Sequence, residues 1–125
     1  MKKICFNTRD ELIMIDPEQI AYIEAEGNYS RVYYITNYKE NDFRIPHGIS
    51  KVEEILGKVG STDCEFIRLG RGIILNRKYI FRINMYDKEI ILSDFGINFR
   101  KLRGLPKPWL NSLKKLEIER IEQKQ

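Results

Sequence analysis

No apolar run in this chain lasts more than a few residues before a turn-forming cluster interrupts it, and that spacing narrows the possible folds most. NTRDE separates Ile4–Phe6 from Leu12–Ile15, and DPEQ follows. Ile20–Ala25 leads through EGN at 26–28 into Tyr29–Thr36, an aromatic and β-branched stretch. Each pair reads as a hairpin. On the outgoing arm of the second, Ser30, Val32 and Tyr34 share one face and Arg31, Tyr33 and Ile35 the other, because side chains alternate along a strand. Asp42–Ile45 reads as a further strand, broken by Pro46 and Gly48. Tyr79–Tyr86 and Glu89–Leu92 surround DK as another hairpin, and Ile97–Phe99 follows the SDFG turn. Short strands divided by turns predict a mainly β domain of small antiparallel sheets.

Two segments carry helical signals instead. Ser50 with Glu53 three residues later fits a capping box, Val52, Ile55 and Leu56 form an apolar stripe, and Gly57 is placed to end it. This short helix is expected to lie over a sheet as a lid. From Pro106 the chain reads PKPWLNSLKKLEIERIEQKQ, in which Leu110, Leu113, Leu116 and Ile121 line one side of a charged C-terminal helix. The expected organisation is a domain over 1–105 and a helical tail over 106–125. The tail packs on its own domain, joins two copies or frays, and the sequence does not choose among these. No internal repeat is visible.

A chain of 125 residues suits one such domain. Seven Tyr and six Phe argue against disorder. The opening MKKICFNTRDELIMID has no uninterrupted apolar core, and no segment reaches the ~18 apolar residues that span a bilayer, so a cytoplasmic protein is expected. Cys5 and Cys64 lack any C-x-x-C or Cys/His spacing, which predicts buried or half-buried thiols, with no metal and no cofactor. Glu24 and Glu26 on a hairpin arm, and His47 between Pro46 and Gly48, show no nucleophile, base and orienting group in sequence, so no enzymatic activity is expected.

Charge is distributed unevenly. Up to Glu65, eight Lys/Arg stand against twelve Asp/Glu, whereas from Phe66 to Pro108 there are ten against three, so one side of the fold is expected to face an anion. Within the basic stretch lies FIRLGRGIILN, residues 66–76. It completes neither G-x-G-x-x-G nor a P-loop, and the apolar Ile73–Leu75 that follows favours a strand over a helix. The glycines therefore read as a tight strand-loop-strand turn that pushes Arg71 outward, flanked by Arg68, Arg77 and Lys78. Asn76 is expected to cap or brace the turn before Arg77 and so to support the Arg71 loop.

IAYIEAEGNYSRVYY (20–34) and FIRLGRGIILNRKYIFRI (66–83), with ILSDFGINFRK following, together resemble the LytTR family of bacterial DNA-binding output domains over nearly the whole chain to about Leu105. The resemblance implies small β-sheets with a short helix, and loops that enter successive major grooves of duplex DNA. It implies base contacts from Arg71, from Ser30 with Asn28 and Tyr29 beside it, and from Arg103, with Arg100 or Lys101 in its place if the register shifts. Asn28, Tyr29, Arg31, Arg68, Arg77, Lys78, Arg100 and Lys101 are the expected DNA or phosphate contacts. Where many members carry histidine and serine this chain has Gly70 and Gly72, and where a Ser-Arg pair is common it has Arg100-Lys101. No segment before Glu65 has the strand-helix alternation of a phosphorylated receiver domain, so control by phosphorylation of this chain is not expected. The implied function is transcription regulation on double-stranded DNA, with a homodimer on repeated half-sites and a separate regulatory protein as expected partners. The alternatives are RNA, stacked by Tyr29, Tyr33 and Tyr34, and a protein-interaction module using the basic face or a helix docking through Trp109, Leu110 and Leu113.

Overall fold

The computed structural model describes residues 3–36, 42–58 and 65–124, and Cys64 lies outside them. β1 (Ile4–Asn7) and β2 (Leu12–Ile15) form a separate hairpin in the register Ile4 to Ile15. The carboxylate of Asp16 then accepts the Glu18 amide at 3.0 Å and caps a single 3-10 turn at Pro17–Gln19. β3 (Ile20–Glu26) and β4 (Tyr29–Tyr34) pair through a turn in which Gly27 takes φ +61°. β5 (Asp42–Ile45), helix α1 (Ile49–Lys58), β6 (Phe66–Leu69) and β7 (Ile73–Asn76) follow. The central sheet runs β5-β4-β3-β7-β6, with every neighbouring pair antiparallel.

Asn76 repeats the device of Asp16. Its side chain accepts the Lys78 amide at 3.3 Å to cap a second 3-10 turn at Arg77–Tyr79, and it donates to the Ile20 carbonyl at 3.0 Å. Each turn feeds a strand with a register shift near its start, between Ile20 and Tyr22 and between Ile80 and Arg82. A structural echo is thus present although no sequence repeat is visible. β8 (Ile80–Asn84), β9 (Glu89–Ser93) and β10 (Phe99–Leu102) form the third sheet, in the order β10-β9-β8, and α2 (Lys107–Lys124) closes the chain. No helix among the described residues is long and apolar enough to cross a membrane.

The central sheet buries both faces. On one, Ile23, Val32 and Ile74 pack with Ile4, Phe6 and Ile15 of the first hairpin and with Ile49, Val52 and Leu56 of α1, so the helix is the expected lid. On the other, Tyr22 and Leu75 pack with Ile90, Leu92 and Leu102 of the third sheet and with Leu110 and Leu113 of α2. Tyr22 is stacked on Tyr33 with ring centroids 4.3 Å apart. Burial pushes the Tyr22 phenol well above the usual tyrosine range, Tyr33 adds to it, and burial also raises Tyr34. A raised folded pKa means stability that is fully present below pH ~10, the unfolded tyrosine value, and is lost as pH rises beyond it. The urea midpoint should therefore fall above pH ~10, and less steeply in Tyr22→Phe; parallel profiles for the two proteins would contradict this.

Five sequence expectations change. α1 begins at Ile49, where the Gly48 carbonyl accepts from Lys51 and Val52, so Ser50 sits inside the first turn and caps nothing there. Gly57 lies within that helix and does not end it. The last strand starts at Phe99 and not Ile97, because the Asp94 carboxylate accepts the Gly96 and Asn98 amides at 2.8 and 3.1 Å and keeps the chain turning. Asn98 and Gly96 also lower the Asp94 pKa. In α2, Leu110 and Leu113 are buried but Leu116 and Ile121 are exposed, and Glu117 and Arg120 continue the inward face. Leu110 and Leu113 are therefore taken up by the chain's own core and cannot dock a partner. Cys5 is exposed, since strand alternation turns it away from Ile4 and Phe6.

Candidate nucleic-acid interface

Antiparallel pairing brings three turns to one end of the central sheet: 27–28 between β3 and β4, 46–48 after β5, and 70–72 between β6 and β7. Glu24 pairs with Ile73, and the Ala25 amide donates to the Gly72 carbonyl at 2.8 Å, so the first and third turns lie side by side. Arg71 is exposed at the tip of its loop. Only Gly70 there needs glycine's conformational freedom, with φ +64°. The Arg68 guanidinium donates to the Arg71 carbonyl and to Glu53 of α1, the latter at 3.0 Å, which ties the loop to the helix. Arg68 thereby braces the loop.

Beside it, Asn28 and Tyr29 are exposed on the hairpin tip. Ser30, expected at the DNA surface, is fully buried, and its hydroxyl donates to the His47 carbonyl at 2.8 Å. It shares the inward face with Val32, so its work is to hold the 46–48 turn. Arg31 is paired with Glu26 at 2.6 Å, and that hydrogen bond raises the pKa of an already basic guanidinium. Arg44 is a surface cation that sequence reasoning missed: its guanidinium lies 4.9 Å from the Tyr29 ring centroid and its side chain is 55% exposed. The signal was the pairing of Arg44 with Arg31 across β4 and β5, which no local pattern reveals.

The linear basic stretch does not form one patch. Arg77 and Lys78 sit at the far end of β7, about 13 Å of strand away from Gly72 at ~3.3 Å per residue. Arg77 is held by Glu117 at 3.0 Å and Glu65 at 3.4 Å, and Lys78 lies over the Tyr79 ring. Asn76 belongs to that end too, so it caps the second 3-10 turn and does not support the Arg71 loop. Arg100 points inward, donating to the carbonyls of Tyr34 at 2.8 Å and Thr36 at 3.2 Å. Lys101 and Arg103 alternate with it onto the outer face, where Arg103 stays 71% exposed with Glu89 3.4 Å away. Among these three, Lys101 and Arg103 are presented to solvent.

Glu24 and Glu26 do not form an isolated carboxylate pair, since Glu26 neutralises Arg31 and approaches Arg44 at 4.0 Å. His47 packs against Phe6 with ring centroids 5.5 Å apart. The arrangement is one of exposed cations on braced loops, suited to a polyanion. No curated protein matches the chain. The fold is similar to that of a LytTr DNA-binding domain from Bacillus cereus, at 21% sequence identity and a TM-score of 0.55, covering 93% of this chain and 96% of that one. The LytTr DNA-binding domain itself matches residues 10–100, most of the chain, and the protein belongs to the LytTR family of DNA-binding domains.

Proposed function

We propose that this domain reads the sequence of duplex DNA in the major groove and regulates transcription in the cytoplasm of a bacterium. The observation that carries the reading is the exposed Arg71 on a loop braced by Arg68 and bonded to the neighbouring hairpin. An arginine so held can pair bidentately with O6 and N7 of guanine. Asn28 and Tyr29 supply a second contact from the adjacent tip, in place of the buried Ser30, and Arg103 with Lys101 a third. Arg44 adds a phosphate contact beside Tyr29. Two copies would occupy repeated half-sites, and a separate protein would deliver the controlling signal. RNA stacked by Tyr29, Tyr33 and Tyr34 is disfavoured, because Tyr33 is stacked on Tyr22 and the Tyr34 hydroxyl accepts the Asp16 amide, leaving only Tyr29 of those three exposed.

Selection from a pool of randomised duplexes at about physiological ionic strength tests this, since salt screens charge-only binding over ~8 Å. Enrichment of a motif repeated about one helical turn apart is expected. Retention without enrichment, vanishing as salt rises, would reduce the interface to a basic surface. Arg44→Ala should weaken all duplexes alike and lower the slope of log affinity against log salt by about one; a change confined to one base would assign Arg44 to the bases instead.

A further inference from the structure

We infer that Trp109 is a positioning residue for DNA recognition: its indole, carried by the first turn of α2, seats the Gly70 turn from which Arg71 reaches the duplex. The inference rests on the proposed reading of Arg71. Its geometric basis is independent of that reading. A Cβ built on Gly70 would fall closer than 3.0 Å to Cη2, Cζ2 and Cζ3 of Trp109, so the ring occupies the space of the absent side chain and lies directly on loop backbone. The turn beneath it is left-handed, at φ +64°. Trp109 itself is half-buried against the second core, and its neighbour Leu110 is fully buried, which fixes where the indole can stand.

The loop is therefore held on two sides. Arg68 takes the Arg71 carbonyl and connects it through Glu53 to α1, and Trp109 connects Gly70 to α2. A bidentate arginine contact needs its backbone placed to within ~0.5 Å, which an unsupported exposed loop does not provide. The same residue also joins two of the proposed contacts. From Arg103 the chain passes through Leu105, whose amide bonds the Lys88 carbonyl, into α2 and so to the underside of the Arg71 loop. The C-terminal helix is thus part of the reader's frame, although it contributes no proposed base contact.

Trp109 is the only tryptophan in the chain, so its emission reports on this seat. The experiment uses the full chain, the duplex enriched by selection and a scrambled duplex, with affinity read from the anisotropy of labelled DNA. Wild-type emission should change on adding the enriched duplex, with the same midpoint as anisotropy. Trp109→Ala should bind the enriched duplex about tenfold or more weakly, with the scrambled duplex nearly unaffected, and Trp109→Phe should restore most of the loss. A folded Trp109→Ala that binds the enriched duplex like wild type, or that loses both duplexes equally, overturns the inference. Should Trp109→Ala fail to fold, Gly70→Ala supplies the overturning test: its Cβ displaces the ring and strains the turn at φ +64° while Arg71 remains, so undiminished preference would overturn the proposal equally. Arg71→Ala separates the two levels. If it keeps the wild-type preference, the DNA reading and this inference fall together; if it loses preference while Trp109→Ala keeps it, only the positioning role falls.

Discussion

Arg71→Ala is expected to bind the enriched duplex about tenfold to a hundredfold more weakly than wild type and to lose discrimination at one base pair. The size follows from the ~1–3 kcal/mol that a bidentate arginine-guanine pair contributes to discrimination, at 1.4 kcal/mol per factor of ten. Stability should move by less than ~0.5 kcal/mol, because the side chain is exposed. The brace itself survives the substitution, since Arg68 donates to the main-chain carbonyl at position 71 and not to the side chain. Arg71→Lys should recover phosphate-like affinity without the base preference, because an ammonium lacks the planar fork that matches guanine. Competition against duplexes varied at each position measures both. An Arg71→Ala profile identical to wild type would remove Arg71 from the reading surface and leave it a solvated loop arginine.

Leu110→Ala should cost ~2–5 kcal/mol, out of the ~5–15 kcal/mol that holds a domain of this kind together. Leu110 is fully buried and Leu113 nearly so, in the core shared with Tyr22, Leu75, Ile90 and Leu92. Leu116, two turns into the same helix, is 41% exposed, and its replacement by alanine should stay within ~0.5 kcal/mol. Urea unfolding of the two variants gives the comparison, with an unchanged m-value expected if the native state keeps its shape. Equal and small losses would mean that the helix merely rests on the domain. The contrast matters for function as well, since the helix that carries Leu110 also carries Trp109 against the Arg71 loop.

Much of the architecture was legible because it is written locally. Short runs bounded by turn-forming clusters placed β1, β2 and β5 within a residue or so, the side-chain alternation along β4 was read correctly, and Asn76 caps a turn as an Asn in that setting does. What misled was local chemistry with more than one solution. Ser50 and Glu53 have capping-box spacing, yet Gly48 supplies the first carbonyl of α1 and Glu53 reaches Arg68 instead. The 3.6-residue stripe in the tail ran past Leu113 because charge there is not a sign of solvent: Glu117 and Arg120 turn inward, pairing with Arg77 and Glu65.

The sequence by itself determined a mainly β domain with a glycine-flanked arginine on a turn, since strand alternation, turn residues and glycine's freedom act over a few residues. Only the tertiary structure decided which cations remain available. Arg68, Arg77 and Arg100 lie in the same basic stretch as Arg71, yet carboxylates and carbonyl oxygens from distant segments, Glu53, Glu117 and the carbonyl of Tyr34, occupy their guanidinium groups. Ser30 was withdrawn from the surface and Trp109 brought beneath Gly70 by the same cause. A side chain's partners are set by which elements pack together across 15 to 66 residues of chain, and no window on the sequence spans that distance.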